Sequence, residues 1–148
     1  VYCLDVARLP LENICKNSKQ LIIIAGVGGD LLVELINSII KNHPEHNLEF
    51  LLCPVHHHYK VRTSLIKSGF GLIDETLIRE NNRFYEILHV SQSSDKIIFP
   101  VGSSMWDFSR KDDTDYLTKT INHYQRMAQK PDEDILGILA QYQALLNY

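Results

Sequence analysis

The first half of the chain alternates between solid apolar runs and segments with spaced apolar positions. The run Leu21–Ile24 contains only leucine and isoleucine, which is typical of a strand buried on both faces of a parallel sheet. Leu48–Val55 is a second strand of this kind. Apolar residues at helical spacing follow each run and predict a helix from Gly29 or Asp30 to Asn42 and another over Tyr59–Ser68. The predicted order is therefore strand, helix, strand, helix.

A hairpin is predicted where this alternation ends. Gly71–Glu80 and Arg83–Ser91 flank the pair Asn81-Asn82, and asparagine accepts the positive φ that a tight antiparallel turn requires. A further short strand is predicted at Lys96–Pro100. The first part of the chain thus reads as an α/β sheet that ends in an antiparallel hairpin.

Two helices are predicted in the last third of the chain. Asp113 is expected to cap the first helix, which runs to about Gln129, and Pro131 fits the first turn of the second. Their facing apolar stripes favour a helical hairpin or short coiled coil. We therefore divide the chain into a partial α/β domain, residues 1–92, and a linker with a helical hairpin, residues 93–148.

A loop poor in side chains separates the first predicted strand from its helix. It reads Ala25-Gly26-Val27-Gly28-Gly29, so backbone and ligand can approach each other closely. Open α/β sheets bind ligands at the carboxyl ends of their strands, which makes this loop the candidate site. Its spacing fits neither the Gly-x-Gly-x-x-Gly fingerprint nor a P-loop. Tight packing of strand against helix is the alternative reason for the glycines.

Composition narrows the class of protein. The chain has 148 residues, 45% of them hydrophobic, and a net charge of −3, which suits one domain with at most a small appendage. The apolar runs are far shorter than the ~18 residues of a membrane span, and we expect neither a membrane nor a DNA partner. Cys3, Cys15 and Cys53 form no Cys-x-x-Cys pair, so we expect reduced thiols and a cytoplasmic protein.

Histidines and cations supply the other candidate chemistry. His56, His57 and His58 are consecutive, and only the first and third share a face in an extended segment, so we expect no metal site. A solvent-facing loop and an RNA-contacting loop are both open for them. Lys60 and Arg62 follow on a predicted helix that starts at the same sheet edge as the glycine loop.

Basic residues also occur in the helical hairpin with acidic residues between them. A solvated face and a tRNA-binding face are both open interpretations of this pattern. The residues are Arg110, Lys111, Lys119, Arg126 and Lys130, with Asp112, Asp113 and Asp115 between them.

Several motifs together resemble one known family. They are Ile22-Ile23-Ile24-Ala25-Gly26-Val27-Gly28-Gly29, Cys53-Pro54, Gly71-Leu72-Ile73-Asp74-Glu75 and Arg83-Phe84-Tyr85-Glu86-Ile87. In order and spacing they are similar to the bacterial tRNA (adenine(22)-N(1))-methyltransferase family, which uses S-adenosyl-L-methionine. The resemblance implies the C-terminal half of a Rossmann-like class I methyltransferase sheet, of strand order 3-2-1-4-5-7-6, followed by an α-helical hairpin.

The resemblance also implies roles for residues near the cofactor. Val1–Leu4 would be a strand that leads to Asp5, which would contact the adenine of the cofactor, and Ala25 and Gly26 would be further cofactor contacts. The loop Gly26–Gly29 would lie beside the transferred methyl group as the catalytic site. Within it, Val27 stands where the family commonly has Met.

The resemblance also implies RNA contacts at the end of the predicted strand Leu48–Val55. The family commonly has a Gln-Pro-Asn-like sequence there, whereas this chain has Cys53-Pro54-Val55 followed by histidines. The candidate RNA-binding residues are His56, His58, Tyr59, Lys60 and Arg62, with Tyr59 as a candidate platform for the target base.

The expected function is methylation of N1 of an adenine in tRNA. The chain starts at Val1, inside a predicted strand and without a methionine, so we expect a fragment that lacks the N-terminal cofactor-binding half and is inactive alone. Such a fragment would expose the edge of the strand Leu21–Ala25, and we expect self-association through that edge. The alternative function is a non-catalytic, truncated methyltransferase-like module that binds RNA or a partner protein.

Overall fold

Helices and strands follow one another in the predicted order. The structure is a computed structural model that describes residues 9–11, 18–129 and 133–147. Val1–Leu4, Asp5 and Pro131 lie outside the described residues. No helix in these ranges is long and apolar enough to cross a membrane. The elements are β1 (Gln20–Ala25), α1 (Gly29–Asn42), β2 (Leu48–Cys53), α2 (His58–Lys67), β3 (Gly71–Glu80), β4 (Arg83–Ser91), α3 (Lys111–Met127) and α4 (Glu133–Ala144).

The described strands form one mixed sheet in the order β1-β2-β4-β3. β1 runs parallel to β2, with Ile22 opposite Phe50. β4 runs antiparallel to both β2 and β3, so the last strand along the chain lies between two earlier ones. This is the 4-5-7-6 end of the order that the resemblance implies, and the predicted α/β fold class is confirmed.

One face of the sheet packs against α1 and α2. Leu32 of α1 and Val61 of α2 are fully buried in one apolar cluster with Ile24 of β1. The prediction that the first apolar run is buried on both faces is wrong. Leu21 and Ile23 are 52% and 65% exposed, because α1 and α2 both pack against the opposite face of β1.

The hairpin of β3 and β4 forms as predicted. Asn81 and Asn82 have φ values of 49° and 60°, so both occupy the left-handed region that a tight two-residue turn requires. The predicted strand at Lys96–Pro100 is wrong. That segment is irregular, and it meets the sheet through a hydrogen bond from the Leu72 amide to the Lys96 carbonyl (2.7 Å) rather than through a ladder.

The helices α3 and α4 pack against each other as the predicted helical hairpin. The prediction that Asp113 caps the first of them is wrong, because α3 begins at Lys111. Asp113 lies in the first turn and is fully buried, and its carboxylate accepts hydrogen bonds from the Asp107 amide (2.7 Å) and the Arg110 guanidinium (2.7 Å). These contacts fix the start of the helix to the loop before it.

Candidate functional site

The bend after β1 opens at Gly26. Gly26 has a φ of +76°, a conformation that favours glycine, and a Cβ built there meets no heavy atom within 4 Å. Its amide donates a hydrogen bond to the Cys53 carbonyl (3.2 Å), and the Val55 amide donates one to the Val27 carbonyl (2.9 Å). The segments that follow β1 and β2 are therefore fastened side by side, with open space beside Gly26.

Packing explains the other two glycines of the bend. A Cβ on Gly28 would lie 2.7 Å from Cε1 of the His56 ring. A Cβ on Gly29 would lie 2.7 Å from the His56 carbonyl oxygen and 2.8 Å from a methyl group of Val61. The packing interpretation therefore holds for Gly28 and Gly29, whereas Gly26 lines open space.

A cleft of about 980 Å³ lies between this edge of the sheet and the helical hairpin. Gly26 and residues 55–60 line it from the sheet, together with Phe84 and Tyr85 at the start of β4. The helical side is lined by residues of α3 and α4, among them Tyr124 and Tyr142, whose rings stack with 5.5 Å between centroids. The bend thus opens into a hollow rich in aromatic side chains.

The charges in this cleft all have one sign. Among the described residues that line it there is no aspartate or glutamate, although the whole chain has a net charge of −3. Lys119, His123 and Arg126 follow one another at helical spacing on α3, and they form what we name the helical wall. Its lysine and its arginine make no ion pair with a described carboxylate, so both are available to an anion.

The acidic residues of α3 are occupied at its first turns. Asp112 pairs with Arg79 (2.8 Å), and Asp115 pairs with Lys111 (2.7 Å). The buried Asp113 pairs with Arg110. The interleaved acids therefore neutralise other cations and leave the helical wall basic.

The three consecutive histidines point to different neighbours. The His56 ring packs on Gly28, and His57, which has a φ of 62°, lies 3.3 Å from the Asp30 carboxylate. His58 forms a 3.1 Å hydrogen bond to the Pro54 carbonyl. Within the described ranges, no group of three or more His, Cys, Asp or Glu side chains could hold a metal ion.

Two of the predicted RNA contacts already have protein partners. Lys60 pairs with Asp30 (2.6 Å), and this hydrogen bond is the main reason that the pKa of Asp30 lies below its ordinary value. The Tyr59 hydroxyl accepts a hydrogen bond from the Gln141 amide (2.8 Å), which connects the start of α2 to α4. Both side chains nevertheless line the cleft.

Arg62 is the predicted RNA contact that the structure contradicts. Its side chain is fully buried and donates hydrogen bonds to Glu75 (2.6 Å) and Glu86 (3.0 Å). The Tyr116 hydroxyl donates to the second oxygen of Glu86 (2.7 Å). We name these four residues the Arg62 cluster. A guanidinium held between two buried carboxylates is not available to a phosphate, so the RNA-binding assignment of Arg62 is wrong.

The pKa values of the cluster agree with this arrangement. Burial is the largest influence on both carboxyl groups and by itself raises their pKa. The charge of Arg62 and the hydrogen bonds that each carboxylate accepts together outweigh it, so the pKa of Glu75 and of Glu86 lies below the ordinary value. Burial, and then the neighbouring Glu86, raise the pKa of Tyr116 well above its ordinary value. The tyrosine therefore keeps the proton that it donates.

The structure brings part of the predicted site together. Gly26, His56, His58, Tyr59 and Lys60 line one cleft, Ala25 is exposed at the end of β1, and Asp5 lies outside the described residues. Lys119 and Arg126 of the helical wall belong to the basic residues for which a tRNA-binding face was left open, whereas His123 was not predicted. The spacing of four and three residues on one helix is the signal that could have indicated a shared face.

The comparison with protein families matches residues 7–88 to the methyltransferase domain family. Because the match covers more than half of the chain, the chain belongs to this family of methyltransferase domains. It is 33% identical over 86 residues to the tRNA (adenine(22)-N(1))-methyltransferase of Bacillus subtilis (strain 168). That alignment covers 58% of this chain and 35% of the relative, so the chain spans about a third of the length of the curated relative it matches.

Two solved structures have the same fold. The B. subtilis M1A22 tRNA methyltransferase TrmK has a TM-score of 0.59 at 23% identity, over 93% of this chain and 64% of that chain. M. capricolum TrmK in complex with S-adenosyl-homocysteine has a TM-score of 0.62 at 14% identity, over 86% of this chain and 59% of that chain. These likenesses show that the chain has the fold of these methyltransferases, and the sequence match to the B. subtilis relative agrees with the resemblance of the motifs.

Proposed function

We propose that this chain is part of an S-adenosylmethionine-dependent enzyme that methylates N1 of an adenine in tRNA in the cytoplasm. In this proposal the chain forms the side of the active site that receives the RNA. The observation that carries the proposal is the cleft, in which an open glycine bend faces cations and aromatic rings and no described lining residue carries a carboxylate. The name of the B. subtilis relative and the S-adenosyl-homocysteine bound to M. capricolum TrmK support the substrate and the cofactor.

The residues at the bend fit the methyl-bearing end of this cofactor. The space beside Gly26 is open, because a Cβ there would meet nothing within 4 Å, and the neighbouring Ala25 is exposed. When bound, S-adenosylmethionine supplies an electrophilic methyl group. We propose that its adenine contacts Asp5 and that residues outside the described ranges hold the rest of it.

Methylation at N1 of adenine requires little acid–base chemistry from the chain. The ring nitrogen has a free electron pair, so the protein has to orient the base and exclude water. We propose that Gly26 and Val27 border the reacting atoms with backbone. Gly28 and Gly29 would act by letting His56 lie close to the bend, because a side chain at either position would displace His56.

The target adenine must leave its stack to reach the bend. Unpaired bases stack on aromatic rings, and phosphates bind to lysine and arginine. We therefore propose His56, His58, Tyr59 and Lys60 as RNA contacts on the sheet side of the cleft. The helical wall, with Lys119, His123 and Arg126, would contact the RNA from the other side.

The test compares this chain with the longest protein that its reading frame encodes. We expect calorimetry to detect S-adenosylmethionine binding by the longer protein and only weak binding by the 148-residue chain, because most cofactor contacts are expected elsewhere. Incubation of the longer protein with cofactor and unmodified tRNA should yield 1-methyladenosine, detected by mass spectrometry of the digested RNA. Absence of cofactor binding by the longer protein would rule out the enzyme, and RNA binding without methylation would favour the non-catalytic module.

A further inference from the structure

The Arg62 cluster joins three of the elements that line the cleft. Arg62 lies four residues after His58 in α2, so the two side chains share a face of that helix. Glu86 lies two residues after Phe84 on the same face of β4. Tyr116 lines the cleft itself, three residues before Lys119 in α3, and its hydroxyl is turned to Glu86 (2.7 Å). In each element, therefore, a member of the cluster is adjacent to a residue that lines the cleft.

The contact between Tyr116 and Glu86 is a buried polar connection between α3 and the sheet, and at the start of the helix Arg110 adds a partly buried hydrogen bond to the Leu77 carbonyl (3.3 Å). Tyr116 is 9% exposed and Glu86 is 1% exposed. The ion pair between Arg79 and Asp112 joins the same hairpin and helix, but both partners are partly exposed, and pairs of that kind contribute little. The buried hydrogen bond, made to a charged carboxylate, has the stronger hold on the helix.

Stability alone does not account for such a cluster. One guanidinium and two carboxylates are taken out of water here, and burying ion pairs often gains nothing over apolar side chains of similar volume. The arginine fork is planar and holds both carboxylates in fixed directions. The cluster therefore fixes the directions in which α2, the hairpin of β3 and β4, and α3 meet one another.

We propose that the Arg62 cluster positions the helical wall over the sheet edge, with Tyr116 as the positioning residue, and so sets the width of the cleft for RNA. The inference rests on the proposed function, because it takes RNA to be the ligand that binds in the cleft and must fit its width. Tyr116 itself acts through Glu86 and Arg62, and the helical wall is what moves when the contact is lost.

The test removes one oxygen atom. Tyr116→Phe keeps the ring packed against Trp106 (5.8 Å between centroids) and Phe84 (5.2 Å) and deletes only the donor to Glu86. Asp112→Asn is the matched control, because it weakens the exposed connection between the same two elements. Trp106 is the single tryptophan of the chain, so its fluorescence reports whether each variant is fully folded at the temperature of the assay.

Hydrogen exchange and RNA affinity are then measured on fully folded protein. With Tyr116→Phe we expect exchange in α3 to become about tenfold faster while β1 and β2 keep their rates, because a hydrogen bond to a buried charge is lost. We expect the Kd for an unmodified tRNA to rise about fivefold, because only part of the free energy of the lost hydrogen bond is passed on to RNA binding. Asp112→Asn should match the wild type in both measurements.

Several results would overturn the proposal. Unchanged exchange in α3 would show that the contact does not hold the helix, and uniformly faster exchange would show a general loss of stability. Faster exchange in α3 with an unchanged Kd would show a structural role without control of the cleft. If the wild type binds no RNA, the proposed function fails in its RNA part, and exchange alone then decides whether the cluster holds the helical wall.

Discussion

Three glycines in one bend serve three separate purposes. Gly26 is required by its backbone conformation, Gly28 by the imidazole ring of His56, and Gly29 by the carbonyl oxygen of His56 together with Val61. The neighbours differ in how far they can yield, because a side-chain ring can rotate away whereas a carbonyl oxygen is fixed by the backbone. Alanine at each position therefore probes a different property of the bend.

We expect Gly29→Ala to be the most destabilising of the three substitutions. It should lower the free energy of unfolding by about 1–3 kcal/mol, because the new methyl group overlaps fixed atoms. Gly26→Ala should cost about 1–2 kcal/mol, since an L-residue is strained at positive φ. Gly28→Ala should cost the least, because only the His56 ring has to move.

Urea denaturation of the three variants beside the wild type measures these differences. If Gly28→Ala were the most destabilising, the His56 ring would have to be held more firmly than its exposed position indicates. Equal losses in all three variants would contradict the distinct roles of the glycines.

The prediction that Arg62 contacts RNA was wrong for a physical reason. Arginine is rarely buried without partners, so a cation on a polar-looking helix is assigned to the surface by default. Its partners Glu75 and Glu86 come from strands whose faces are fixed only by the sheet register. The sequence did contain one sign of this arrangement. Glu86 lies within the apolar segment Phe84–Leu88, and a glutamate that is buried there needs a cation as its partner.

The helix α3 separates its charges along its length. Acidic residues in its first turns pair with Arg79, Arg110 and Lys111, whereas Lys119 and Arg126 further along face the cleft. Acids in the first turn and a cation in the last turn are also what the helix dipole favours. The tRNA-binding interpretation is therefore supported by the position of Lys119 and Arg126 at the cleft rather than by the asymmetry itself.

Lys119 and Arg126 should each account for about one counterion released on RNA binding. We expect Lys119→Gln and Arg126→Gln each to reduce the slope of log K against log salt concentration by about 1. Lys111→Gln is the control on the same helix, because its ammonium group already pairs with Asp115 (2.7 Å), and its slope should equal that of the wild type.

A salt titration of tRNA binding by fluorescence anisotropy measures all of these slopes. Equal reductions in the three variants would show that the helix attracts RNA only through its total charge. No reduction at Lys119 and Arg126 would place the RNA away from the helical wall.

The predicted elements were accurate where the pattern was periodic. β3 and β4 match their predicted ranges, because alternation and the turn pair Asn81-Asn82 specify them locally. The strand at Lys96–Pro100 was wrong because that segment meets the sheet through a contact with the distant Leu72. The Asp113 cap was wrong because α3 begins two residues earlier and the Asp113 carboxylate accepts from Asp107 and Arg110 instead. The candidate site was found at the strand end for a general topological reason, but its opposite wall comes from a helix that the glycine motif does not specify.

The sheet as a whole ends in an exposed apolar strand at β1. Leu21 and Ile23 are exposed on its uncovered face, and β2 is its strand partner among the described residues. An apolar strand at a sheet edge invites pairing with another chain. We therefore propose that the 148-residue chain self-associates through β1.

A charge on this strand should weaken the association. We expect Ile23→Lys to shift the chain towards the monomer in sedimentation velocity, because lysine on an edge strand opposes pairing. Ile97→Lys is the matched control, since Ile97 is 67% exposed, against 65% for Ile23, but lies in an irregular segment. A wild-type chain that is monomeric at all concentrations would contradict the proposal, as would an equal shift in both variants.

The insertion of β4 between β2 and β3 has a consequence for how the chain assembles. Among the strands that the structure describes, β3 pairs with β4 alone, and the two are joined by a turn that allows them to pair within about 1–10 μs. In this hairpin Glu75 and Glu86 lie diagonally on neighbouring strands, where their charges repel each other. We expect docking of α2 to remove that repulsion, because Arg62 pairs with both carboxylates.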